Sequence, residues 1–505
     1  MIAVIDFGSQ YTHLICRRIR ELGAPSEVFP YCDELPSGKK IDGIILSGSP
    51  AALGKTKAPL PADDIFARGA PILGICYGMQ VIAKMLGGKI VSCSSREYGE
   101  TKLNLLEKGA LFRGFPASIK VWMSHFDRVG EVPGGFKVLA RTRTVPVAAM
   151  GDASRKIYGL QFHPEVTHTE KGLKILDNFI KLCGAERSWK LGEWVENEIK
   201  RVKSEVGRGK VIMALSGGVD STVASVIIKR AVGTSFYPIF VDHGLTRWKD
   251  LERINNVVSK KMGIKVRCVD AADRFIEALK GVRDPEKKRK IIGREFINVF
   301  QEEAAKIPGV THLAQGTLYP DVIESACARS GAAPIKSHHN VGGLPESLNL
   351  KLVEPFRFLY KDEVRRIGLL EGVPEEIVHQ HPFPGPGLAV RIIGEINRKR
   401  INILRKADQI MDEELKKAGL YYGLWQAFPV FLPVRSVGVM GDTRTYGNVI
   451  ALRCVESKEA MTASWAPLPH SVLGAVSTRI VNEIKGINRV VYDITNKPPG
   501  TIEWE

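Results

Sequence analysis

The sequence predicts an α/β protein with two doubly wound parallel-sheet domains followed by a smaller α+β C-terminal domain. Short apolar runs alternate with amphipathic helical stretches through residues 1–185, and a second such series begins at 211–215. This alternation is typical of βαβ units and a mostly parallel sheet. The last part of the chain differs, because a charged helix over 395–418 and a second helix over 469–485 accompany three strand patterns, PVFLPVRSVGVM, NVIALRCV and RVVYDIT.

The length of 505 residues is enough for roughly three domains of about 150 residues each. We predict domains over 1–187, 188–385 and 386–505. A polar helical stretch at 189–210 would form the first junction. The Gly- and Pro-rich segment 381–390 would form a hinge, since each proline restricts its own φ and the backbone conformation of the residue before it.

The composition is that of a globular protein. Apolar residues at 44% and charged residues at 25% exclude disordered and fibrous classes. No apolar run approaches the roughly 18 residues that cross a bilayer, and MIAVIDFGSQ lacks the basic region of a secretory signal. The eight cysteines are dispersed without CxxC or zinc spacing, which is typical of reduced thiols. We therefore expect a cytoplasmic protein with no membrane partner.

The net charge is strongly positive, with 72 Lys and Arg against 55 Asp and Glu, or +17. Such a charge suits either a phosphate polymer or small anionic substrates. The sequence has no RRM, zinc-finger or basic-zipper pattern, so we expect small anionic substrates and no nucleic-acid partner. The densest basic run, KKRK at 287–290, favours a solvated helix face. A basic RNA-binding protein that has kept the fold remains the alternative.

A cysteine stands where a strand pattern runs into a helix pattern, in Gly74-Ile75-Cys76-Tyr77-Gly78. The flanking glycines permit a sharp strand-to-helix turn that lifts the side chain clear of the sheet. The helix N-terminus favours the thiolate, and backbone N–H groups can stabilise an oxyanion. The alternative is a buried crossover of small residues in which Cys76 only fills space.

His163 and Glu165 favour the catalytic interpretation. In QFHPEV the alternation of an extended segment puts both side chains on one side. A base and the carboxylate that orients it then follow the cysteine in the chain. The set predicts attack by Cys76 on a carboxamide or ester carbon.

Four segments of the first domain resemble the class I glutamine amidotransferases, namely DFGSQYTHLI (6–15), LSGSP (46–50), GICYGMQ (74–80) and GLQFHPEV (159–166). The resemblance implies that Cys76 attacks the side-chain amide of glutamine, that His163 shuttles the proton and that Glu165 orients His163. It also implies oxyanion donors at the backbone N–H of Tyr77 and of Gly48, or of Ser49 beside it. Ser49 replaces a glycine that is usual in the family.

The second apolar series opens with a glycine-rich loop between the strand VIMAL and a helix, formed by Ser216, Gly217, Gly218, Val219, Asp220, Ser221 and Thr222. Small residues at a helix N-terminus make a nest of backbone donors for an anion, and the loop lacks the GK[ST] of a Walker motif. The alternative is an ordinary glycine-rich turn. SGGVDST resembles the ATP-pyrophosphatase (PP-loop) motif. The resemblance implies cleavage of ATP between the α and β phosphates, Mg²⁺ near Asp220, and adenine near Val241 and Gly316.

Three further segments resemble the glutamine-hydrolysing GMP synthetase family: GVRDPEKKRKIIG (281–293), YPDVIESACARSGAAPIKSHHNVGGLP (319–345) and NRVVYDITNKPPGTIEWE (488–505). The resemblance implies a carbon–nitrogen ligase that converts XMP, ATP, glutamine and water to GMP, AMP, pyrophosphate and glutamate. It implies a homodimer that forms through the third domain, against the alternative of a monomer.

The same resemblance implies further site residues. Those for XMP are Arg289, Arg489, Lys497, Ile502 and Glu503, and those for the synthetase centre and its lid are Asp321, Glu324 and Lys336. A synthetase with another acceptor, such as nicotinate adenine dinucleotide, remains the nearest alternative.

Overall fold

The computed structural model describes residues 1–36, 38–53, 58–61, 63–319, 321–322, 350–440, 442–457 and 463–505. They form two compact units, Met1–Glu193 and Trp194–Glu505. The predicted α/β class with an α+β C-terminal region is confirmed. Within these ranges, no helix combines the length and the apolar character that a bilayer crossing requires.

The first unit is built on one mixed sheet. Its strands are β1 Ile2–Asp6, β2 Ser26–Pro30, β3 Gly43–Leu46, β4 Ile72–Ile75, β5 Lys89–Leu105, β6 Ser118–Glu131, β7 Lys137–Arg141, β8 Ala149–Asp152 and β9 Ile157–Leu160. Its helices are α1 Thr12–Glu21, α2 Tyr77–Met85 and α3 Gly172–Cys183, with a 3₁₀ turn at Asp63–Phe66.

The described strands of this sheet run in the order β2-β1-β3-β4-β9-β8-β7-β5-β6. The pairs from β2 to β9 are parallel, whereas β8, β7, β5 and β6 pair antiparallel. The parallel part agrees with the βαβ pattern. The antiparallel extension was not predicted, because its long strands alternate polar and apolar residues and so lack continuous apolar runs.

Helices cover both faces of the parallel strands. Ile15 of α1 and Phe179 of α3 belong to one buried cluster, and Met79 and Ile82 of α2 belong to the other. Every residue of β3, β4 and β9 is buried. Burial on both faces explains why these strands read as uninterrupted apolar runs.

The second unit contains a parallel sheet and a mainly antiparallel one. The strands of the parallel sheet are β10 Lys210–Ala214, β11 Phe236–Asp242, β12 Arg267–Asp270, β13 Val310–Ala314 and β14 Lys351–Val353, and the described order is β12-β11-β10-β13-β14. The other sheet consists of β15 Gln426–Met440, β16 Thr443–Glu456, β17 Ser464–Trp465 and β18 Ile487–Tyr492, with β18 parallel to β16.

The helices of this part of the chain begin with one that crosses the boundary between the units. They are α4 Leu191–Val206, α5 Val219–Val232, α6 Asp250–Arg253, α7 Ala272–Ala278, α8 Pro285–Ala305, α9 Lys361–Leu370, α10 Glu375–Val378, α11 Arg398–Lys417 and α12 His470–Glu483. A π-helical segment spans Ile254–Lys261, and 3₁₀ turns span Gly233–Ser235, Gly387–Arg391 and Tyr421–Gly423.

One apolar core extends through much of the second unit. It includes Ile212 of β10 and Phe300 of α8 together with Leu388, Phe431 of β15 and Ile480 of α12. Residues on both sides of position 385 therefore pack together. The domain boundaries at 187/188 and 385/386 stay predictions.

Three basic side chains of the second unit are almost completely buried. Lys288, Arg391 and Arg453 have relative exposures of 0%, 0% and 1%. Lys288 Nζ donates to Ile392 O at 2.7 Å and Ala389 O at 3.3 Å, and it is paired with the carboxylate of Glu505. The expectation of a solvated face for residues 287–290 is thus wrong at Lys288, because α8 turns this side chain toward the 3₁₀ turn that ends at Arg391.

Neutralising Glu505 tests the buried pair with Lys288. We expect Glu505→Gln to destabilise the second unit by about 3 kcal/mol, since removal of one partner leaves a buried charge uncompensated. Calorimetric unfolding should show a melting temperature that is several degrees lower. The double variant Lys288→Met/Glu505→Gln should recover much of this loss, because no unpaired charge remains. A single variant as stable as the parent chain would contradict the prediction.

Candidate functional site

Cys76 lies between β4 and α2 in a strained conformation. Its φ of 53° and ψ of −104° lie outside the regions that L-residues favour. A Cβ on Gly74 would stand 2.5 Å from the Gly78 backbone, and one on Gly78 would stand 2.2 Å from Leu46 O. The two glycines therefore contribute space for close packing, and the cysteine itself carries the unusual dihedral angles of the turn.

The structure brings the three predicted residues of the first unit together. Glu165 Oε1 accepts a hydrogen bond from His163 Nδ1 at 2.7 Å, and His163 is also hydrogen-bonded to the Cys76 side chain. All three residues are buried. Burial alone would lower the pKa of His163, but the Glu165 carboxylate and the bond with Cys76 outweigh it and raise the pKa to about 10. An imidazolium at neutral pH favours a thiolate on Cys76.

The predicted oxyanion residues border this group. A Cβ on Gly48 would lie 3.5 Å from His163 Cε1. Ser49, which replaces the usual glycine, is not strained: it lacks a positive φ, and its Oγ donates to Phe7 O at 2.8 Å. Tyr77 is the first residue of α2, and its hydroxyl donates to Pro59 O at 2.7 Å. The assignment of oxyanion donors stays a prediction.

Two residues near the group have polar contacts that the sequence did not predict. Gln161 Nε2 lies 3.8 Å from Cys76 Sγ. Thr169 Oγ1 donates to His163 O at 2.6 Å and accepts from Trp122 N at 3.1 Å, while His163 N donates to Trp122 O at 3.1 Å. Thr169 therefore joins the segment that carries His163 to β6. Gln161 belongs to the GLQFHPEV segment, but nothing in the sequence shows which way its amide points.

The SGGVDST loop connects β10 to the N-terminus of the 14-residue helix α5. Gly217 has a φ of 76°, and Gly218 precedes the helix in an extended conformation. Ser216 Oγ and Ser221 Oγ are 3.0 Å apart, and Thr222 is buried. The loop therefore presents backbone N–H groups at a helix N-terminus, which is a favourable position for an anion.

The two other residues predicted for ATP lie on neighbouring parts of the parallel sheet. Val241 lies two residues beyond Ile239, whose pairing with Ala214 is the last between β10 and β11. Gly316 follows β13, and a Cβ there would be 3.0 Å from Asp220 O. Both residues thus lie at the carboxyl edge of the sheet, where parallel α/β sheets bind ligands.

Asp220 has an unexpected cationic neighbour. Its Oδ2 accepts from Lys361 Nζ at 3.2 Å, and its Oδ1 is buried without a hydrogen-bond partner among the described residues. Lys361 is the first residue of α9. A Cβ on Gly368 of α9 would stand 2.9 Å from Val223, so the two helices approach closely. Lys361 gave no sequence signal, because a Lys that opens a helix is usually a surface residue.

Only part of the predicted synthetase centre can be placed. Asp321 Oδ2 accepts from Leu318 N at 3.0 Å. Glu324 and Lys336 lie outside the described residues.

The last residues of the chain contact buried Arg391 and partly buried Arg289. Glu503 accepts from Arg391 Nη2 at 2.8 Å and Nε at 3.0 Å, and from Gln426 Nε2 at 2.6 Å. Arg289 donates to the Glu505 backbone oxygen. The sequence did not predict Arg391 or Gln426 as site residues, because both are distant in the chain from Glu503.

The remaining residues predicted for XMP have different surroundings. Ile502 packs against a small apolar cluster with Phe428. Lys497 is held through its backbone, whose N–H donates to Ala463 O at 2.8 Å. Arg489 lies on β18 opposite Val449 with an exposed side chain. The structure therefore does not bring Arg489 into the group around Glu503.

The same terminal segment forms part of the lining of a pocket of about 460 Å³. Its lining includes Arg453, Asp493 and Trp504. Arg453 Nη2 donates to Thr501 O at 3.0 Å, and Trp504 Nε1 donates to Asp493 Oδ2 at 2.9 Å. Buried Arg453 thus holds the backbone of the KPPGTIEWE segment through this hydrogen bond to Thr501 O.

Three family profiles match the chain in order. The profile of class-I glutamine amidotransferases matches residues 3–183, the profile described as NAD synthase matches 190–294, and the profile of the GMP synthase C terminal domain matches 413–504.

Curated relatives match over the whole length. The glutamine-hydrolyzing GMP synthase of Aquifex aeolicus is 56% identical over 507 residues, which cover 100% of this chain and 99% of the relative. Proteins of the same name from Halothermothrix orenii and Brachyspira hyodysenteriae are 53% and 52% identical, with the same coverage. Since such relatives share more than half of their residues with this chain from end to end, the chain belongs to the glutamine-hydrolysing GMP synthase family.

Proposed function

We propose that this chain aminates XMP to GMP, using ammonia from glutamine and cleaving ATP to AMP and pyrophosphate. One observation carries the proposal: a buried Cys76–His163–Glu165 group in the first unit is combined with a PP-loop in the second. The first feature fits the release of ammonia from an amide, and the second fits activation of an oxygen by adenylylation. The activity is that of a carbon–nitrogen ligase with glutamine as the amido donor.

In the glutaminase half, the Cys76 thiolate attacks the side-chain carbonyl carbon of glutamine. The backbone N–H groups of Tyr77 and Gly48 stabilise the oxyanion of the tetrahedral intermediate. His163, held by Glu165, donates its proton to the departing ammonia and then takes a proton from the water that hydrolyses the thioester. Glutamate leaves, and the thiolate is restored.

In the synthetase half, the 2-oxo oxygen of the xanthine base attacks the α-phosphorus of ATP, and pyrophosphate leaves. The backbone donors of residues 216–222 hold the phosphates. AMP is then the leaving group at C2, and ammonia displaces it to give the 2-amino group of GMP. Lys361, which lies beside Asp220, supplies a positive charge close to the leaving pyrophosphate.

The residues fit a bound Mg²⁺. Among the described residues no three carboxylate, imidazole or thiol groups converge on one point, so a cage made of protein ligands is not present there. Mg²⁺ is commonly held by one or two carboxylates and the phosphates of the substrate. Asp220 Oδ1, which is buried and has no hydrogen-bond partner among the residues that the structure describes, would serve as such a carboxylate ligand. When bound, Mg²⁺ would neutralise charge on the phosphates.

For XMP, the group around Glu503 supports a subsite in the second unit. Arg391 and Gln426 fix the Glu503 carboxylate, so it can accept from hydroxyl or N–H groups without changing position. Ile502 offers apolar surface beside it, and Arg289 and Lys497 offer charge for a phosphate. The match to NAD synthase spans only 190–294, which includes the PP-loop and Arg289 but not Arg391, Gln426 or Glu503. It therefore does not favour a dinucleotide acceptor.

A homodimer is supported by the β15–β16 hairpin. From the irregularity between Leu432 and Ser436 onward, the hairpin exposes apolar side chains. Val434, Val437, Val439 and Tyr446 have relative exposures of 49% to 75%. We infer that two copies of this exposed part of the hairpin, here called the hairpin arm, pack together in a homodimer.

We also infer that the enzyme acts in the cytoplasm. Its excess positive charge attracts anionic substrates and not nucleic acid.

Replacement of Cys76, the proposed nucleophile, tests the glutaminase activity and the synthetase activity independently. With XMP and Mg-ATP, we expect Cys76→Ala to form GMP and AMP from ammonium at the parental rate and to lose glutamine-dependent synthesis by at least a thousandfold, since the remaining groups cannot form a thioester. Chromatographic separation of GMP, AMP and ADP measures both reactions. AMP formation without XMP, or with nicotinate adenine dinucleotide in its place, would contradict the proposed acceptor.

Removing the charge of Lys361 should affect only the synthetase half. We expect Lys361→Met to slow XMP-dependent pyrophosphate release by about a hundredfold or more, as the loss of a charge near a developing anion costs a few kcal/mol. Hydrolysis of glutamine by the first unit provides the internal control and should be unchanged. Substitution of Lys287, an exposed lysine of α8, by Met is a matched control for loss of one positive charge. Equal pyrophosphate release by both variants would exclude the proposed role.

Charges on the hairpin arm test the dimer. We expect Val437→Asp/Val439→Asp to sediment as a monomer at concentrations where the parent chain is dimeric, because two carboxylates would be desolvated at the contact. Val91→Asp, at an exposed apolar residue of β5, is the control and should leave sedimentation unchanged. Parent and arm variant with the same sedimentation coefficient would refute the assignment of the arm.

A further inference from the structure

The carboxamide of Gln161 lies beside the sulfur of Cys76 and has a fixed direction. Gln161 is completely buried, and its Nε2 is 3.8 Å from Cys76 Sγ. Its Oε1 accepts from Gln80 Nε2 at 3.5 Å, and the same Gln80 nitrogen donates to Asp127 O at 2.7 Å. Gln80 therefore directs the oxygen of Gln161 toward itself and the N–H group toward the sulfur.

Burial makes this contact energetically important. An amide nitrogen without an acceptor in the protein interior is destabilising. Among the residues that the structure describes, Cys76 Sγ is the one hydrogen-bond acceptor of Gln161 Nε2. A sulfur atom is a weak acceptor as a thiol and a much better one as a thiolate, since charge-assisted hydrogen bonds are roughly twice as strong as neutral ones.

A backbone carbonyl group close to the same sulfur favours its protonated form over the thiolate. Ser124 O lies 3.5 Å from Cys76 Sγ, where it accepts from the thiol. A carbonyl oxygen so placed favours the protonated sulfur, because its dipole repels a thiolate. Gln161 Nε2 offsets this effect with a donor. It does so at every pH, whereas His163 favours the thiolate only while its ring is protonated.

We propose that Gln161 is a further catalytic residue of the glutaminase half, which donates a hydrogen bond to the Cys76 thiolate before attack on glutamine and again when the thioester is hydrolysed. His163 gives its proton to ammonia and recovers one from water during the cycle. Gln161 keeps its N–H throughout, so the sulfur has a hydrogen-bond donor at every stage of the cycle, including the interval in which His163 is neutral. This inference rests on the proposed role of Cys76 as the nucleophile.

Two variants test the donor. Gln161→Met keeps most of the side-chain volume and removes the N–H group, and Gln161→Asn withdraws the N–H group by one methylene with less disturbance of the core. We expect both to slow alkylation of Cys76 by iodoacetamide at pH 7 by about 10- to 100-fold, as hydrogen bonds to charged groups are stronger than neutral ones. Peptide mass spectrometry distinguishes Cys76 from the other cysteines. The thiolate absorbance near 240 nm should develop at higher pH, and glutamine-dependent turnover should fall by a similar factor.

The controls separate this inference from general loss of packing and from failure of the proposed function. Asn178→Leu removes a buried carboxamide of the same unit that donates to Leu111 O and Arg113 O, and it should leave the alkylation profile of Cys76 unchanged. Parental alkylation in both Gln161 variants, or equal slowing in Asn178→Leu, would overturn the inference. If the parent chain fails to hydrolyse glutamine, the proposed function fails, and the alkylation result still decides whether Gln161 stabilises the thiolate.

Discussion

Both candidate sites depend on one constraint, which is that a buried parallel strand must run directly into a helix. Strand β4 is buried along its whole length and β10 along its three central residues, and these buried side chains are apolar and cannot take part in chemistry. Polar groups collect where the strands end, because there the backbone leaves the sheet and the N–H groups of the next helix are unpaired. At the first such turn, close packing at Gly74 and Gly78 holds Cys76 in its strained conformation. At the second, Gly217 with positive φ opens the loop to an anion.

Buried charge is the second common feature, and both units contain buried charges that are paired. His163 keeps its proton in the interior because Glu165 and Cys76 compensate for lost hydration. Lys288, Arg391 and Arg453 are compensated by the segment 493–505, through Glu505, Glu503 and Asp493. The terminal segment thus contributes both to stability and to the proposed XMP subsite. A carboxylate that is already held by a buried arginine is pre-organised for a ligand, since little conformational entropy remains to be lost on binding.

The sequence predicted most elements of the fold, and its omissions have physical causes. Strand β10, helices α11 and α12, and strands β15, β16 and β18 lie close to their predicted positions, because apolar periodicity reports burial directly. The antiparallel extension from β5 to β8 lacks that signal. Lys288 was expected in solvent, because a run of four basic residues gives no indication that one of them points inward. Glu324 and Lys336 lie outside the described residues, so their roles stay predictions.

The sequence by itself determined which residues we propose as the reacting groups of each half: Cys76, His163 and Glu165 for the thiol chemistry, and residues 216–222 for the phosphates. Each set is encoded locally, in a turn whose residues must be adjacent to function. Only the tertiary structure decided which side chains surround them. Gln161 beside the sulfur, Lys361 beside Asp220, and Arg391 with Gln426 around Glu503 are brought together from distant segments. Such contacts depend on sheet order, helix packing and the direction of each side chain, which no local pattern of residues specifies.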